Sequence, residues 1–362
     1  MPIDKVLRSV QADVWEKIKS ETRPLVVYGM GNGGDKLFAR LAAMGKTPAE
    51  VIASDLFVRG QSFHGYTVKR LSEIKNRYSD FVILVAFATR QTEVMESLYQ
   101  LAERYTVYLP DMPVVEGEDF TRSYAMEHRD ALKRVYHLLA DSCSQRIFLQ
   151  ILEYKLTGDL RLLRNACSSS DEMSFFQEAA KKMECMVDGG AYDGDTIRQM
   201  VTFCPKLSQV FAVEPDPKTF RKLQKFAADF QSPPDIFAVH AALWNAVGKG
   251  TLLAGGNRNS SLLSSSYESR AEDVPLSTVD AIAGAAHINY IKYDVEGAEL
   301  EALEGSRGTM ARCHPLLNIA LYHRSADLFR LPLWLHRTAP EYRLYLRRTA
   351  CLPAWELSLY AI

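Results

Sequence analysis

The sequence has few features that would make it a disulfide-stabilised, zinc-binding or membrane protein. Its six cysteines form no CxxC pair and none lies at zinc-ligand spacing from a histidine, which favours reduced thiols. The longest apolar run, residues 81–88, is too short to cross a bilayer, and residues 1–20 lack the apolar segment of a signal peptide. We therefore expect a cytoplasmic protein.

The sequence also lacks an excess of charge of either sign. Its 43 basic and 44 acidic residues give a formal net charge of −1, so neither nucleic acid nor a membrane surface is an expected partner. Hydrophobic residues make up 47% of the chain, which is typical of a globular protein. A length of 362 residues is large for one compact core and favours two domains.

Strand-like runs alternate with helical patterns in two parts of the chain, which predicts two Rossmann-like α/β domains. The predicted division is a first domain of residues 1–119, a helical connector of residues 120–183 and a second domain of residues 184–362. Residues 1–18 should form one helix. The strands expected in the first domain are residues 25–28, 51–53, 81–86 and 106–109. The helices expected in the connector are residues 125–140, 145–155 and 172–183.

The second domain should contain a mostly parallel sheet that ends in an antiparallel strand. Its polar loop of residues 255–267 is rich in Ser, Asn and Gly, and the part from 257 to 266 could be either a lid over a ligand or a mobile surface loop. The predicted strands are residues 186–188, 209–213, 236–239, 250–253, 288–293, 316–321, 342–346 and 355–360.

The segment VDGGAYDGDT, residues 187–196, follows the first strand of this domain and opens a helix. Its glycines permit a tight turn and close approach of a ligand to the backbone. The carboxylates of Asp188, Asp193 and Asp195 would repel a pyrophosphate but attract a sulfonium and an ammonium group, which favours S-adenosylmethionine over NAD. The loop residues expected to contact the cofactor are Asp188, Gly189, Gly190, Ala191, Tyr192, Asp193 and Thr196.

Two further strand ends supply candidate cofactor contacts. Glu214 follows the second strand, where an acid can accept hydrogen bonds from both hydroxyls of a ribose. Pro215 comes directly after it and belongs to the same turn. Ala242 and Leu243 follow the third strand, where they would lie beside an adenine ring.

The fourth strand end carries Asp294 and Glu296 within the run IKYDVEGAELEALEG. Together with VDGGAYDGDT and VFAVEPDP upstream, this run resembles the signature of the FkbM-type methyltransferases over residues 187–362. The resemblance implies a class I methyltransferase fold, S-adenosylmethionine as donor, and a hydroxyl acceptor on a sugar or natural product.

The resemblance also implies roles for particular residues. It puts Asp188, Gly190 and Glu214 at the cofactor, and Asp294 and Glu296 at the reaction centre. The chain departs from the family pattern at Leu321-Tyr322-His323, where many relatives have an acid near the strand end.

Methylation of a hydroxyl requires a base that takes its proton. His323 is the first candidate, because its unperturbed pKa lies near neutrality. Asp294 and Glu296 are the other catalytic candidates, and Asp294 could instead hold the methionine ammonium group. Glu299 is predicted to be solvated in the first turn of its helix. The paired acids with His323 could also bind a divalent metal that lowers the pKa of the hydroxyl, but no spacing requires a metal ion, and we expect none.

The first domain contains GMGNGG, residues 29–34, which satisfies GxGxxG between a predicted strand and helix. Gly29, Gly31, Gly34 and Asp55 are therefore candidates for a second nucleotide site. The nearby HGYTV and LSE segments are similar to nucleotide-sugar-binding domains fused to some sugar acyltransferases. The alternative is a degenerate Rossmann module that serves packing or dimerisation.

The function favoured by the sequence is methylation of a hydroxyl on a sugar, nucleotide-sugar or related polar metabolite. The acceptor partner would be a small molecule or glycan, and a homo-oligomer is possible. One alternative is an NAD-dependent oxidoreductase that uses the first domain, although the acidic loop would then have no role. Another is a non-catalytic protein that binds the cofactor without turnover.

Overall fold

A computed structural model describes residues 2–115, 117–254 and 270–362. The predicted polar loop of residues 255–267, including the lid candidate of residues 257–266, lies outside the described residues. No helix in the described ranges is long and apolar enough to cross a membrane.

The N-terminal part is built around a four-stranded parallel sheet with the order β2-β1-β5-β6, and β3 and β4 form a separate antiparallel hairpin. The sequence VILV of β5 is wholly buried, as expected for a strand covered on both faces. The strands are β1 (Leu25–Tyr28), β2 (Glu50–Ile52), β3 (Ser62–Phe63), β4 (Tyr66–Thr67), β5 (Val82–Val85) and β6 (Thr106–Tyr108). The helices are α1 (Pro2–Ser9), α2 (Val14–Ser20), α3 (Asn32–Ala43), α4 (Leu71–Arg77) and α5 (Thr92–Arg104).

The prediction of one helix over residues 1–18 is wrong, because the helix stops at Ser9 and α2 starts at Val14. Asp13 is the reason: its side chain accepts hydrogen bonds from the backbone N–H groups of Trp15 and Glu16, each at 3.0 Å. The Glu16 carboxylate accepts from the Asp13 N–H at 2.8 Å in return. This capping box fixes a helix start inside the apolar pattern.

The connector is helical, as predicted, but the helix expected over residues 125–140 is divided at His128. Its longest helix, α8, is held to the C-terminal sheet by Ser144, which accepts a hydrogen bond from the Leu346 N–H at 2.9 Å. The helices are α6 (Arg122–Glu127), α7 (Arg129–Leu138), α8 (Ser142–Thr157), α9 (Arg161–Asn165) and α10 (Ser174–Ala180).

The C-terminal part contains a seven-stranded sheet with the order β15-β16-β14-β13-β7-β8-β9. All its pairings are parallel except those of β16 with β14 and β15, which confirms the predicted α/β class and an antiparallel strand at the C-terminus of the chain. This strand lies between β14 and β15 and not at the edge of the sheet. The strands are β7 (Cys185–Gly189), β8 (Gln209–Val213), β9 (Asp235–Val239), β13 (Tyr290–Tyr293), β14 (Leu316–Ala320), β15 (Leu344–Arg348) and β16 (Leu357–Ala361).

The C-terminal part also contains a small second sheet, of whose three strands the sequence predicts only β11. Its order is β10-β12-β11, and β12 lacks a clear apolar alternation in its sequence RAEDVPLS. Two short helices, α13 and α15, were also not predicted. The strands are β10 (Ala242–Leu243), β11 (Gly248–Ala254) and β12 (Arg270–Ser277). The helices are α11 (Asp195–Phe203), α12 (Pro217–Asp229), α13 (Val279–Ala283), α14 (Glu299–Glu304), α15 (Arg307–Cys313) and α16 (Asp327–Thr338).

One hydrophobic cluster runs through all three predicted regions. It contains Ile3 of α1, Val26 of β1, Ile151 of α8, Ile319 of β14 and Leu359 of β16. The connector therefore packs as part of the main core. In the large sheet, β8 lies on one side of β7 and β13 lies on the other. The strands that follow β7 in the chain are first added on one side and later on the other, so the strand order reverses at β7. A ligand crevice is expected beyond the C-terminal end of that strand.

Candidate active site

A cavity of about 570 Å³ opens beside β7, where the strand order of the large sheet reverses. Its walls include residues that follow β7, β8, β13 and β14, so it lies at the carboxyl ends of the parallel strands. The sequence-predicted residues that contact it are Gly190, Tyr192, Thr196, Glu214, Pro215, Ala242, Leu243, Asp294 and Glu296. Most of the predicted cofactor and reaction-centre residues therefore come together at one place.

The glycine-rich turn after β7 brings its backbone against the neighbouring strand end. Gly190 has a φ of +76°, and a Cβ atom there would stand 1.9 Å from the carbonyl oxygen of Asp294. Any side chain would collide with fixed backbone, so this position requires glycine. Leu243 also contacts this turn, since a Cβ at Gly189 would lie 2.6 Å from its methyl group.

Glu214 is held rigidly at the edge of the cavity and is 7% exposed. One carboxylate oxygen accepts a hydrogen bond from the Tyr192 N–H at 3.0 Å, and the other accepts from the Asp216 N–H at 2.9 Å. Burial raises the pKa of Glu214 to about 7, although these two backbone donors favour its ionised form. Each oxygen keeps a further lone pair that can face a ligand.

Asp188 lies beneath the cavity wall with no measurable exposure. One of its oxygens is 3.6 Å from the ammonium group of Lys292, which in turn is 3.3 Å from Asp294. Burial raises the pKa of Asp188 to about 6, with Lys292 acting in the opposite direction. Burial disfavours the Lys292 cation, but Asp294 and Asp188 outweigh it and raise the pKa of Lys292. Asp188 thus acts on the site through Lys292, a residue not singled out from the sequence.

The three loop carboxylates do not all face the cavity, contrary to the expectation from the sequence. Of the three, Asp195 contacts the cavity. Asp193 is partly exposed and pairs with Arg198 at 3.2 Å, while Asp188 is balanced by Lys292. The cavity is lined by Asp195, by Glu214 after β8 and by an acidic part after β13.

Asp294 and Glu296 form this acidic part of the cavity. Tyr322 donates a hydrogen bond to Asp294 at 2.7 Å. Burial works against ionisation of Asp294, but the neighbouring cations of Lys292 and His323 outweigh it and lower the pKa of Asp294 to about 2. Burial raises the pKa of Glu296 to about 7 despite His323, with help from Asp294 and other carboxylates. Asp294 is therefore a permanent anion, whereas Glu296 exchanges a proton near neutral pH.

His323 is fully buried behind these acids, which does not suit the predicted role of base. Its Nδ1 lies 2.9 Å from Glu299, and its Nε2 lies 3.6 Å from Asp294 and 3.5 Å from Glu296. Burial alone would favour neutral imidazole, but Glu299, Glu296 and Asp294 raise the pKa of His323 to about 10. An imidazolium has no lone pair for an incoming proton, so His323 in this state does not fit the role of base.

Glu299 is buried, with 1% exposure, so the expectation of a solvated side chain is wrong. It accepts hydrogen bonds from the backbone N–H groups of Val295 at 3.0 Å and Gly297 at 3.4 Å. These bonds fix the turn on which Glu296 stands, and Glu296 adopts a φ of +51°, unusual for a residue with a side chain. Asp327 adds a buried carboxyl group behind the same cluster.

The glycine-rich loop of the N-terminal sheet has a different setting. A Cβ atom at Gly34 would stand 2.9 Å from the ring of Phe63, and one at Gly29 would stand 2.8 Å from the ring of Phe87. Gly31 lies at the open start of α3, and Asp55 is exposed in a short 3-10 turn after β2. Aromatic side chains therefore cover part of the loop.

No group of three His, Cys, Asp or Glu side chains arranged for metal binding occurs in residues 2–115, 117–254 and 270–362. Two residues of the acidic cluster, Lys292 and Asp327, were not singled out from the sequence. Lys292 lies within the IKYDVEGAELEALEG run, whereas Asp327 belongs to no recognised motif.

Comparisons with known proteins bear on the domain and on the fold. The family model of the methyltransferase FkbM domain matches residues 188–348. A crystal structure of Methyltransferase FkbM from Methylobacillus flagellatus KT is 20% identical with a TM-score of 0.70, covering 100% of this chain and 93% of that chain. That likeness shows a shared fold over the whole chain. No curated protein matches in sequence.

Two other solved structures resemble part of the chain. Fibrillarin from Aeropyrum pernix, in complex with natively bound S-adenosyl-L-methionine, is 13% identical with a TM-score of 0.32, covering 51% of this chain and 68% of that chain. Magnesium protoporphyrin IX methyltransferase from Synechocystis PCC 6803, with bound SAM, is 12% identical with a TM-score of 0.29, covering 68% of this chain and 97% of that chain.

The domain match includes the β7, β8 and β13 strand ends that form the cavity. It confirms the resemblance found in the sequence, for which S-adenosylmethionine is the expected methyl donor. Residues 188–348 of this chain match the methyltransferase FkbM domain.

Proposed function

We propose that this protein transfers a methyl group from S-adenosylmethionine to a hydroxyl group of a sugar, nucleotide-sugar or related polar metabolite. One observation carries the proposal. Glu214 and the turn at Gly190 share a single cavity with the carboxylates of Asp294 and Glu296. A donor and an acceptor can therefore meet in one enclosed place.

The residues on the β7 and β8 side fit the adenosyl part of the donor. Glu214 presents fixed carboxylate oxygens that can accept from ribose hydroxyls. Ala242 and Leu243 offer an apolar surface for the adenine ring. The bare backbone at Gly190 permits the close approach that the amino-acid portion needs. When bound, the donor supplies an electrophilic methyl group on a positively charged sulfur.

Hydroxyl methylation needs negative charge beside the cationic donor and a base for the proton of the acceptor. The carboxylates after β13 can supply both. Asp294, ionised throughout the neutral range, provides negative charge beside a cationic donor and can also hold its ammonium group. Glu296 has a pKa of about 7, so its carboxylate can accept the proton of an acceptor hydroxyl and release it again at neutral pH. An alcohol needs this assistance because it is a weak nucleophile.

His323 acts from behind these acids as a positioning residue. Its buried cation lies between Glu299 on one side and Asp294 with Glu296 on the other. The cation lowers the proton affinity of both cavity carboxylates and limits their rotation. Removing it should therefore change the pH dependence of turnover while leaving donor affinity largely intact.

The proposal is tested by incubating the full-length protein with methyl-labelled S-adenosylmethionine and a panel of monosaccharides, sugar phosphates, sugar acids and nucleotide-sugars. We expect transfer to at least one acceptor, with the methyl group located on oxygen by NMR. Co-purified S-adenosylhomocysteine, detected by mass spectrometry, would support the donor. A methyl group found on nitrogen or carbon would contradict hydroxyl methylation, and failure to bind S-adenosylmethionine or S-adenosylhomocysteine in calorimetry would contradict the enzyme assignment.

A further inference from the structure

The cavity continues beyond the acidic residues to a second end that is rich in arginine. Arg90 reaches it from the N-terminal part, and Arg347 and Arg348 reach it from the end of β15. Ser168 and Thr349 add hydroxyl groups to the same wall. This end is formed jointly by the first domain, the connector and the methyltransferase domain.

Two of these arginines are neutralised by carboxylates. Arg347 pairs with Asp141, with 2.5 Å between the nitrogen and the oxygen. Arg90 pairs with Glu356 across the junction of the two halves. Reciprocal backbone hydrogen bonds between Thr89 and Leu352, at 2.7 and 3.0 Å, hold this junction together.

Arg348 differs from both of them. It is only 1% exposed, and no carboxylate oxygen in the described part of the chain lies within 4.0 Å of its guanidinium. The other two arginine and lysine side chains buried to this degree in the described ranges, Lys155 and Arg347, each have an acidic partner. Arg348 is thus a buried positive charge without a matching negative one.

The hydrogen bonds of Arg348 do not remove this imbalance. Its terminal nitrogens donate to the carbonyl oxygens of Leu163, Cys351 and Pro353, which hold the guanidinium in place without neutralising it. Its Nε has no hydrogen-bond partner although it is buried. A buried cation with an unused donor is costly unless a ligand supplies the missing anion.

We propose that the acceptor carries an anionic group, a phosphate or a carboxylate, that binds beside Arg348 while the reacting hydroxyl lies near Glu296. This inference rests on the proposed function and specifies its substrate class. Arginine suits such a group because its planar donors match the oxygens of phosphate and carboxylate. Arg90, paired with Glu356, lies on the same cavity wall, so the first domain also borders the proposed acceptor site.

The direct test measures binding of inorganic phosphate to the full-length protein saturated with S-adenosylhomocysteine. Calorimetry is performed at constant ionic strength, with chloride as the reference anion. We expect one phosphate site, and we expect Arg348→Met to weaken it by at least about tenfold because the uncompensated charge is removed. Arg312→Met, which alters an exposed arginine of α15, is the matched control and should leave phosphate affinity unchanged.

The outcomes separate this inference from the proposed function. Absence of phosphate binding, or equal affinity in wild type and a folded Arg348→Met protein, would overturn the anionic acceptor. If Arg348→Met does not fold, crystals of the wild type soaked in phosphate decide the question. Phosphate beside the Arg348 guanidinium supports the inference, and its absence from that position overturns it. Retained S-adenosylhomocysteine binding in those samples would leave the donor assignment standing.

Discussion

Two glycine-rich loops in this molecule occupy the same position in their sheets, yet only one opens onto the large cavity. GMGNGG follows β1, and GGAYDG follows β7. In both loops the glycines avoid collisions: at Gly34 with the ring of Phe63, and at Gly190 with the backbone of Asp294. Glycine content therefore reports close packing in each case and does not by itself indicate a ligand.

The difference lies in the acid that ends the neighbouring strand. Glu214 is buried, held by two backbone donors and turned to the cavity. Asp55, its counterpart after β2, is exposed in a 3-10 turn. A loop of this kind is better judged by whether a buried titratable group faces it than by its glycine pattern.

The largest expected effect is a loss of turnover when Glu296 is changed. This acid has no counterpart beside the glycine-rich loop of residues 29–34. Glu296→Gln removes the proposed base and should lower turnover by about 10²- to 10⁴-fold with donor affinity retained, in line with the usual contribution of general-base catalysis. Glu301→Gln, an acid of α14 nearby in sequence, is the control and should change turnover little. Unaltered turnover in Glu296→Gln would remove this residue from the mechanism.

The difference between the two glycine-rich loops is tested by measuring donor affinity in variants of Glu214 and Asp55. Glu214→Ala should weaken S-adenosylhomocysteine binding by about 10- to 100-fold, because charge-assisted hydrogen bonds to ribose are lost. Asp55→Ala should leave that affinity unchanged, because Asp55 lies outside the cavity. Calorimetry on both full-length variants measures this, and equal losses would show that the two loops do not differ as described.

The pH dependence of turnover should follow Glu296. Its carboxylate form increases as the pH rises through about 7, so turnover should increase about tenfold per pH unit below 7 and level off above it. His323→Gln removes a cation that favours the carboxylate, so the midpoint should move to higher pH. A midpoint that stays in place would show that His323 does not act on Glu296.

The smallest effect concerns the first loop. Gly31 has a φ of +78°, but a Cβ atom added there would have no heavy atom within 4 Å. Gly31→Ala should therefore lower the free energy of unfolding by about 1 kcal/mol through backbone strain alone. Donor affinity should not change. Chemical denaturation measures the first quantity, and a clear loss of S-adenosylhomocysteine binding would mean that this loop contributes to the donor site.

Much of the fold follows from local pattern. The strand of residues 209–213 was predicted to the residue, because a short apolar run is bounded by polar turns. The break between α1 and α2 was missed since the apolar periodicity continues across it, and only the side-chain hydrogen bonds of Asp13 reveal the new helix start. The strand β12 was missed because its partner β11 stabilises it through pairing that its own sequence does not indicate.

Part of the site could likewise be predicted from the sequence, and part could not. Glu214, Asp294 and Glu296 were predicted because strand ends meet at one edge of a parallel sheet. The state of His323 was not predictable, because its pKa depends on three carboxylates that come from a different strand end. Arg348 belongs to no sequence motif. Only the tertiary structure shows that its guanidinium is buried with no carboxylate partner in the described part of the chain.

The central claim is that the cavity beside Gly190 and Glu214 holds the methyl donor. A crystal structure of the full-length protein with S-adenosylhomocysteine tests it most directly. We predict that the ribose lies within hydrogen-bonding distance of the Glu214 carboxylate, with the sulfur facing Glu296. Density for the nucleoside at the loop of residues 29–34, or anywhere away from Glu214, would contradict the account.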